Sequence, residues 1–329
     1  MPGKGILDRL KEGVVLGDGG YLLELERRGW VRAGPFTPEV ILKRPEAVRE
    51  LHAEFHAAGS EVLQALTFYA SRDKLATVGL QDSLPDLNRA AVRIARQVAG
   101  EDRLVAGTLT LTWMYEEGSA AARDKVRASY EEQLALQVEE GIDFVIGETF
   151  SWLGEAVIAV REARKTGLPV MATMSFDLKP MSWDGKGPAE CAKTLVDEGA
   201  DIVGINCLRN PEHTLPLIEE VRRAVSGYVA CQPTGYRTPA DDPDFTHLPQ
   251  FPTEVDTLQL SRREMASFAV KARELGVNFI GACCGVAATH LREMARALGK
   301  LPPDSQPWRI DYDRPMSSYE YYGHGKSSD

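Results

Sequence analysis

Five cysteines stand in this 329-residue chain, and three of them fall where chemistry can be done. Cys207 ends the apolar run Ile202-Val203-Gly204-Ile205-Asn206, and Cys283-Cys284 end a second run that begins at Asn278. Three thiolates drawn from two separate strands suit a zinc ion whose fourth position stays open to a ligand or to water. Side chains alternate along a strand, so adjacent cysteines can face one cavity only where the chain turns. Gly285 permits such a turn. The same residues would otherwise be small buried hydrophobes, or Cys283 and Cys284 would pair as a vicinal disulfide able to switch with redox state. Cys191, in the helical run Pro188 to Glu198, and Cys231, inside an apolar strand, are expected in the core. An odd cysteine count, with no apolar leader after Met1-Pro2-Gly3-Lys4-Gly5, points to reduced thiols in a cytoplasm rather than a disulfide framework.

Other polar and aromatic residues end neighbouring apolar runs: Gly17-Asp18-Gly19-Gly20, Thr67-Phe68-Tyr69 and Gly147-Glu148-Thr149. Two acids, an aromatic pair and three cysteines would ring one cavity if those ends converge. Some apparent motifs are decoys. The Gly17-Asp18-Gly19-Gly20 stretch resembles a dinucleotide loop, but Leu22 stands where the third glycine belongs. His52 and His56 have helical spacing, yet Glu54 is not adjacent to His52 as a zinc-protease motif requires; both are expected on a solvent- or partner-facing side.

The elements that must position these residues are legible as a rhythm. Almost continuously apolar runs recur at Val14 to Gly19, Glu61 to Tyr69, Leu104 to Thr110, Asp143 to Thr149, Pro169 to Ser175, Asp201 to Cys207, Tyr228 to Gln232 and Asn278 to Cys283. Such runs read as parallel strands buried on both faces. Amphipathic stretches separate them, such as Pro45 to Gly59, Ala122 to Gly141 and Arg262 to Gly276, several ending in glycine. Eight strand–helix units over residues 10 to 300 predict an α/β fold, a (β/α)8 TIM barrel, with a doubly wound open sheet as the alternative. In a barrel the strand C-termini converge on one mouth. The expected division is a barrel domain at 1–303 and a Pro- and aromatic-rich tail at 304–329, with Trp308, Tyr312, Tyr319, Tyr321 and Tyr322, serving dimerisation. Thr238 to Phe251, rich in Pro, Asp and Phe, is expected to be a long loop acting as a lid, a subunit contact or a solvated connection. A net charge of −10 argues against a nucleic-acid partner or a polybasic membrane surface. No apolar run approaches the ~18 residues of a membrane-crossing helix.

These motifs carry a resemblance. Gly17-Asp18-Gly19-Gly20, residues 32–39 (RAGPFTPE), Thr67-Phe68-Tyr69-Ala70-Ser71, Gly204-Ile205-Asn206-Cys207 and Gly281-Ala282-Cys283-Cys284-Gly285 resemble the homocysteine S-methyltransferases, most of all their betaine-using branch. The likeness runs from Gly5 to about Pro303, and the paired Gly-x-Asn-Cys and Gly-x-Cys-Cys-Gly elements are its most specific part. It implies a zinc-dependent barrel with Cys207, Cys283 and Cys284 as ligands. It also implies that Asp18 and Glu148 hold the homocysteine amino group, and that the amides of Gly19 and Gly20 hold its carboxylate. Phe36, Phe68 and Tyr69 would surround a quaternary ammonium or sulfonium methyl donor, with Thr149 and Asn206 also in the substrate site. The product would be methionine and the demethylated donor.

The chemistry is coherent. A thiol with a pKa near 8.5 is mostly protonated at neutral pH, and zinc would deprotonate it. Aromatic faces hold a cation without offering a competing nucleophile. A tertiary amine or thioether leaves without a proton, so no general acid is required. The chain departs from the betaine-using pattern at three places: Phe36 replaces Trp, Thr149 replaces Tyr, and Ala65 replaces Thr. Trp113, Tyr115 and Trp183 are expected to rebuild the cation site. Glycine betaine is the expected donor. Dimethylsulfoniopropionate, S-methylmethionine, proline betaine or a carnitine-like compound are the alternatives, and a non-catalytic barrel sensing an osmolyte or a metal is a further one. Longer relatives continue past this chain in a segment tied to tetramers, so the expectation is a homodimer.

Overall fold

Apolar runs too short to be buried helices pair side by side, each followed by a helix that covers its outer face. The computed structural model describes residues 4–303 apart from 33 and 35, together with Tyr322. In chain order α1 (Ile6–Glu12) precedes β1 (Val15–Leu16), and α2 (Leu22–Arg27), α3 (Val40–Lys43) and α4 (Pro45–Ala58) lead to β2 (Val62–Gln64). Next come α5 (Arg72–Ala76), α6 (Leu84–Ala99), β3 (Leu104–Thr110), α7 (Ala120–Glu139), β4 (Phe144–Phe150) and α8 (Leu153–Arg164). β5 (Val170–Met174), α9 (Pro188–Asp197), β6 (Ile202–Asn206) and α10 (Pro211–Ala224) follow. β7 (Tyr228–Gln232), α11 (Arg262–Glu274), β8 (Phe279–Ile280) and α12 (Ala288–Ala297) complete the alternation.

All ladders are parallel, in the order β1-β8-β7-β6-β5-β4-β3-β2. The remaining seam, between β1 and β2, is closed largely by carboxylates. Glu61 N donates to Leu16 O (2.8 Å), Leu16 N to Glu61 Oε2 (2.9 Å), and Gln64 N to Asp18 Oδ2 (2.7 Å). The result is a (β/α)8 barrel, as the strand rhythm predicts. Its lower interior is a separate apolar plug in which Val15, Val62, Leu104, Phe144, Ile202 and Phe279 meet, capped from below by Ile6 and Leu10 of α1. Two-residue alternation then carries the inward series upward into Gln64, Glu148, Thr173, Asn206 and Gln232, all buried. The barrel is thus dry at its base and polar under its mouth.

Helix boundaries follow local signals. α4 starts on Pro45 and stops at Gly59, whose φ of +109° suits glycine. Ser261 and Glu264 form a capping box on α11. α7 starts two residues before the expected Ala122, because the Ser119 hydroxyl accepts Ala122 N (3.2 Å). Three strands are shorter than their apolar runs suggest: β1, β2 and β8 end before the residues of chemical interest. There the ladder gives way to turns, and a side chain (Asp18) takes the bond a carbonyl would have taken.

His52 corrects an expectation. It is wholly buried, not facing solvent or a partner; it sits on the apolar side of α4 with Leu51 and Phe55. His56, one turn on, is only partly buried. Cys191 and Cys231 are core residues, as expected. The tail from 304 lies outside the described residues except Tyr322, and so does any test of its part in dimerisation. Among the described residues no helix is long and apolar enough to cross a membrane.

Candidate active site at the barrel mouth

Backbone strain marks the mouth. Among the described residues six non-glycine residues have left-handed φ angles, namely Phe36, Tyr69, Trp113, Thr149, Cys207 and Leu208, from +51° to +65°. All six line one cavity of about 330 Å³ at the strand C-termini. Each such residue costs on the order of 1–3 kcal/mol and persists only where surrounding packing dictates it. Their convergence is where sharp strand-to-loop turns aim side chains inward.

Cys207, Cys283 and Cys284 come together on one side of this cavity, their sulfurs all within 4.8 Å of one another. The Sγ of Cys284 lies 3.9 Å from that of Cys207 and 4.0 Å from that of Cys283. Zinc–sulfur bonds of about 2.3 Å at tetrahedral angles would place sulfurs about 3.8 Å apart. The adjacent pair faces one way because the chain has left β8 and turns at Gly285, whose φ is +81° and whose Cβ would lie 2.7 Å from the Tyr236 ring. Backbone bonds fix the trio: Cys207 N to Gln232 O (2.9 Å), Cys283 N to Pro233 O (2.9 Å) and Gly235 N to Cys284 O (2.7 Å). All five cysteines are free thiols, so no vicinal disulfide is present.

Electrostatics asks for a cation here. Hydrogen bonds from its two neighbours draw the Cys207 thiol well below its ordinary pKa. Contact with that thiolate pushes Cys283 and Cys284 well above theirs. One negative charge is thus stabilised and two more are opposed, a balance that a divalent soft-acid ion reverses. The donor set, its spacing and its charge all fit zinc.

Beside the thiols lies a carboxylate network. Glu148 lines the cavity; its Oε1 accepts a short bond from Gln64 Nε2, and its Oε2 accepts Asn206 Nδ2 (3.0 Å). Burial, and then the Cys207 charge, push Glu148 up to about 8. Asp18 is raised to about 6, chiefly by burial and against the bonds from Tyr21 and Gln64. Gln232 also lines the cavity, and its buried Oε1 has no protein partner. This side therefore offers acceptors in excess of donors, which suits an ammonium ligand.

Three expected contact residues sit differently. Asn206 is fully buried behind the lining, its amide consumed by Thr149 N (2.8 Å), Thr149 Oγ1 (2.8 Å), Thr173 Oγ1 (2.8 Å) and Glu148. Asp18 likewise stands one layer behind, where it closes the barrel seam. Gly20 lines the cavity, but its amide already donates to Val286 O (3.0 Å). A Cβ on Gly19 would lie 2.4 Å from Val286 O and one on Gly20 2.7 Å from Cys283 O, so both positions admit only glycine beside the cysteine turn.

Much of the remaining lining is aromatic. Phe36, Phe68, Tyr69, Trp113 and Trp183 contribute to it, with Ala65 and Thr149 between them. Phe36 stacks on Phe251 (centroids 5.9 Å, planes 9° apart), and the Trp113 and Trp183 rings lie 5.8 Å apart. Trp113 Nε1 donates to Tyr69 Oη (3.0 Å) and Trp183 Nε1 to Asp177 Oδ2 (2.8 Å), which fixes both indoles. Tyr115 does not line the cavity; it packs behind, against Trp152. The Thr238 to Phe251 loop forms part of the cavity wall, contributing Phe245, His247 and Phe251. Sequence reasoning missed Gln64, Gln232 and Phe251; the first two could have been found by continuing the two-residue alternation up β2 and β7.

Glu155 of α8 anchors the Trp113 loop from behind: its Oε1 accepts Thr112 N (2.8 Å), Thr112 Oγ1 (2.7 Å) and Tyr130 Oη (3.2 Å). Glu155→Ala is expected to lower unfolding stability by about 3 kcal/mol, because the two buried Thr112 donors lose their acceptor while Tyr130 Oη keeps Thr110 O (3.1 Å). Urea titration would register it as a lower midpoint with an unchanged slope.

A mouth-facing trio of thiols in a (β/α)8 barrel defines a class of barrel enzymes that can bind a soft metal beside an organic ligand. A homocysteine S-methyltransferase family model matches residues 15–298, and the chain belongs to that family. It is 41% identical over 319 residues to betaine–homocysteine S-methyltransferase 1 of Mus musculus, covering 92% of this chain and 78% of that protein. It is 39% identical over 315 residues to an S-methylmethionine–homocysteine S-methyltransferase of Pongo abelii, covering 92% and 85%. Among solved structures, the metallated form of the homocysteine methyltransferase MmuM of Escherichia coli superposes with a TM-score of 0.70 at 18% identity, covering 87% of this chain and 96% of that one, a likeness of fold.

Proposed function

We propose that this protein transfers a methyl group from a quaternary ammonium or sulfonium donor, glycine betaine or a related methylated osmolyte, to the sulfur of homocysteine, giving methionine. The observation that carries this reading is that three zinc-spaced thiols share the lining of one cavity with acceptor-rich and aromatic side chains. Cys207, Cys283 and Cys284 would hold zinc, and zinc bound there would acidify a thiol presented to its open side. Glu148, with Asp18 behind it, holds the homocysteine ammonium; Gln64 bridges the two acids and Asn206 fixes the Glu148 and Thr149 side of the network. The Gly19–Gly20 backbone lets the amino-acid end approach the cysteine turn closely. Phe36, Phe68, Tyr69, Trp113 and Trp183 hold the methyl-bearing cation in line with the thiol and keep water out of its path. Free thiols at the site suit a reducing, cytoplasmic compartment. The aromatic residues of the tail support assembly as a homodimer, which light scattering would test.

Incubating zinc-loaded protein with homocysteine and a panel of donors tests the reading. Methionine should form with at least one quaternary ammonium or sulfonium compound, and its absence with all of them would refute the assignment. Phe36, Ala65 and Thr149, where the chain departs from the betaine-using pattern, carry the alternative of another quaternary ammonium or sulfonium donor, for which Trp113 and Trp183 would supply the cation's contacts. Trp113→Ala should raise the donor KM by about two- to fivefold and leave the homocysteine KM unchanged, since a cation–π contact at a half-exposed ring contributes about 0.5–1 kcal/mol. Initial rates with each substrate varied in turn would separate the two constants.

A further inference from the structure

Tyr21 contributes its ring to the cavity wall, packed edge-on against Phe55 (centroids 5.2 Å) and tilted against His52 (5.0 Å). Its hydroxyl makes two bonds, to Asp18 Oδ2 at 2.5 Å and to His52 Nδ1 at 3.0 Å. A phenol has one proton. When Asp18 is a carboxylate that proton goes to Asp18, and the phenol oxygen must then accept Nδ1–H from His52. Burial holds His52 neutral, so it has a single N–H, and fixing it on Nδ1 leaves Nε2 a bare acceptor. His52 Nε2 is buried with no acceptor beside it, which is compatible with a nitrogen that carries no proton. An apolar residue at position 52 would avoid that desolvation penalty, so the imidazole is explained by what its Nδ1–H does.

We propose that His52 and Tyr21 are positioning residues for the amino-acid half of the site: His52 orients the Tyr21 hydroxyl, and that hydroxyl holds Asp18 as an oriented carboxylate beside the Gln64–Glu148 pair. The proposal rests on the assignment of the homocysteine ammonium to these acids. Its content is selective: the relay acts on the amino group and not on the thiol or the methyl donor. It also defines an order, because His52 acts only through the phenol.

Calorimetric titration of zinc-loaded protein with homocysteine, and with the thiol acid that is homocysteine without its amino group, is the test. The parent protein should bind homocysteine more tightly than the des-amino thiol. Tyr21→Phe keeps the ring and its packing; it should weaken homocysteine binding about tenfold, the scale of one hydrogen bond to a charged group, and leave the des-amino thiol unchanged. In turnover the homocysteine KM should rise while kcat and the donor KM stay within about twofold of the parent. His52→Leu should match Tyr21→Phe, His52→Asn should restore part of the loss through its amide N–H, and the double variant Tyr21→Phe/His52→Leu should be no worse than Tyr21→Phe. Equal weakening of both thiols by Tyr21→Phe, unchanged homocysteine binding, or additive losses in the double variant would overturn the proposal. So would equal affinity of the parent for the two thiols. Absence of methionine formation would instead refute the transfer reaction and leave this binding result standing.

Discussion

Replacing Cys207, Cys283 or Cys284 with alanine is expected to lower kcat/KM for homocysteine methylation by about 10³-fold or more and to strip the protein of zinc. Two thiolates leave an incomplete and more exposed ligand set, and the remaining sulfurs, with Sγ separations of 3.9 and 4.0 Å in the intact trio, no longer enclose an ion on three sides. The loss should be equal at the three positions to within an order of magnitude, because each sulfur would contribute one bond to one ion. Zinc per chain by atomic absorption after dialysis is the direct measurement. Full zinc in any single variant would remove that residue from the set. Cys191→Ala and Cys231→Ala serve as controls: both lie in the core away from the trio and should keep zinc and activity.

Homocysteine affinity should rise with pH between about 6 and 8 in the parent protein, and Glu148→Gln should flatten the upper part of that rise while weakening binding about a hundredfold. The sign follows from protonation. Burial raises Asp18 to about 6 and Glu148 to about 8, so the acids are neutral below those values and offer an ammonium only a dipole. Above them they are carboxylates, and the attraction is fully developed. The homocysteine KM should therefore fall as pH climbs, pass its second inflection near 8 and level about a unit above it, with the donor KM unaffected. In Glu148→Gln only the lower inflection, from Asp18, remains. The same raised values set the stability of the ligand-free protein. The folded chain keeps protons that the unfolded chain has released, so the contribution of Glu148 is favourable below its ordinary 4.5 and is lost as pH rises toward about 8. Thermal unfolding at pH 5 and pH 8 should show that loss, and Glu148→Gln should reduce it.

The residues that act and the fold that carries them differ in how far they could be read from the chain. Parallel strands buried on both faces are uniformly apolar, and that pattern predicts all eight strands and the mouth where they end. Cys207 and Cys283-Cys284 stand at the ends of such runs, so their convergence was legible, as was the turn that Gly285 gives the pair. The expectation for His52 failed because helical spacing alone does not say which side of α4 meets the barrel. Asn206 and Asp18 were expected to contact the substrate and stand behind the cavity lining. A polar residue at a strand end can point into the cavity or hold its neighbour, and only the hydrogen-bond partners distinguish the two.

By itself, then, the sequence determined the barrel, the thiol trio and the family to which the chain belongs, because apolar periodicity and local motifs are properties of nearby residues. Tertiary structure alone decided the 3.9–4.0 Å spacing of the sulfurs, the stacking of Phe251 on Phe36, and the link from His52 through Tyr21 to Asp18. The longest of those contacts, Cys207 to Cys284, Phe36 to Phe251 and Tyr21 to His52, join residues tens to hundreds of positions apart, and only the tertiary fold brings them together. The left-handed turns that aim six side chains into one cavity follow from the same fold, since strain of that kind persists only where packing on every side dictates it.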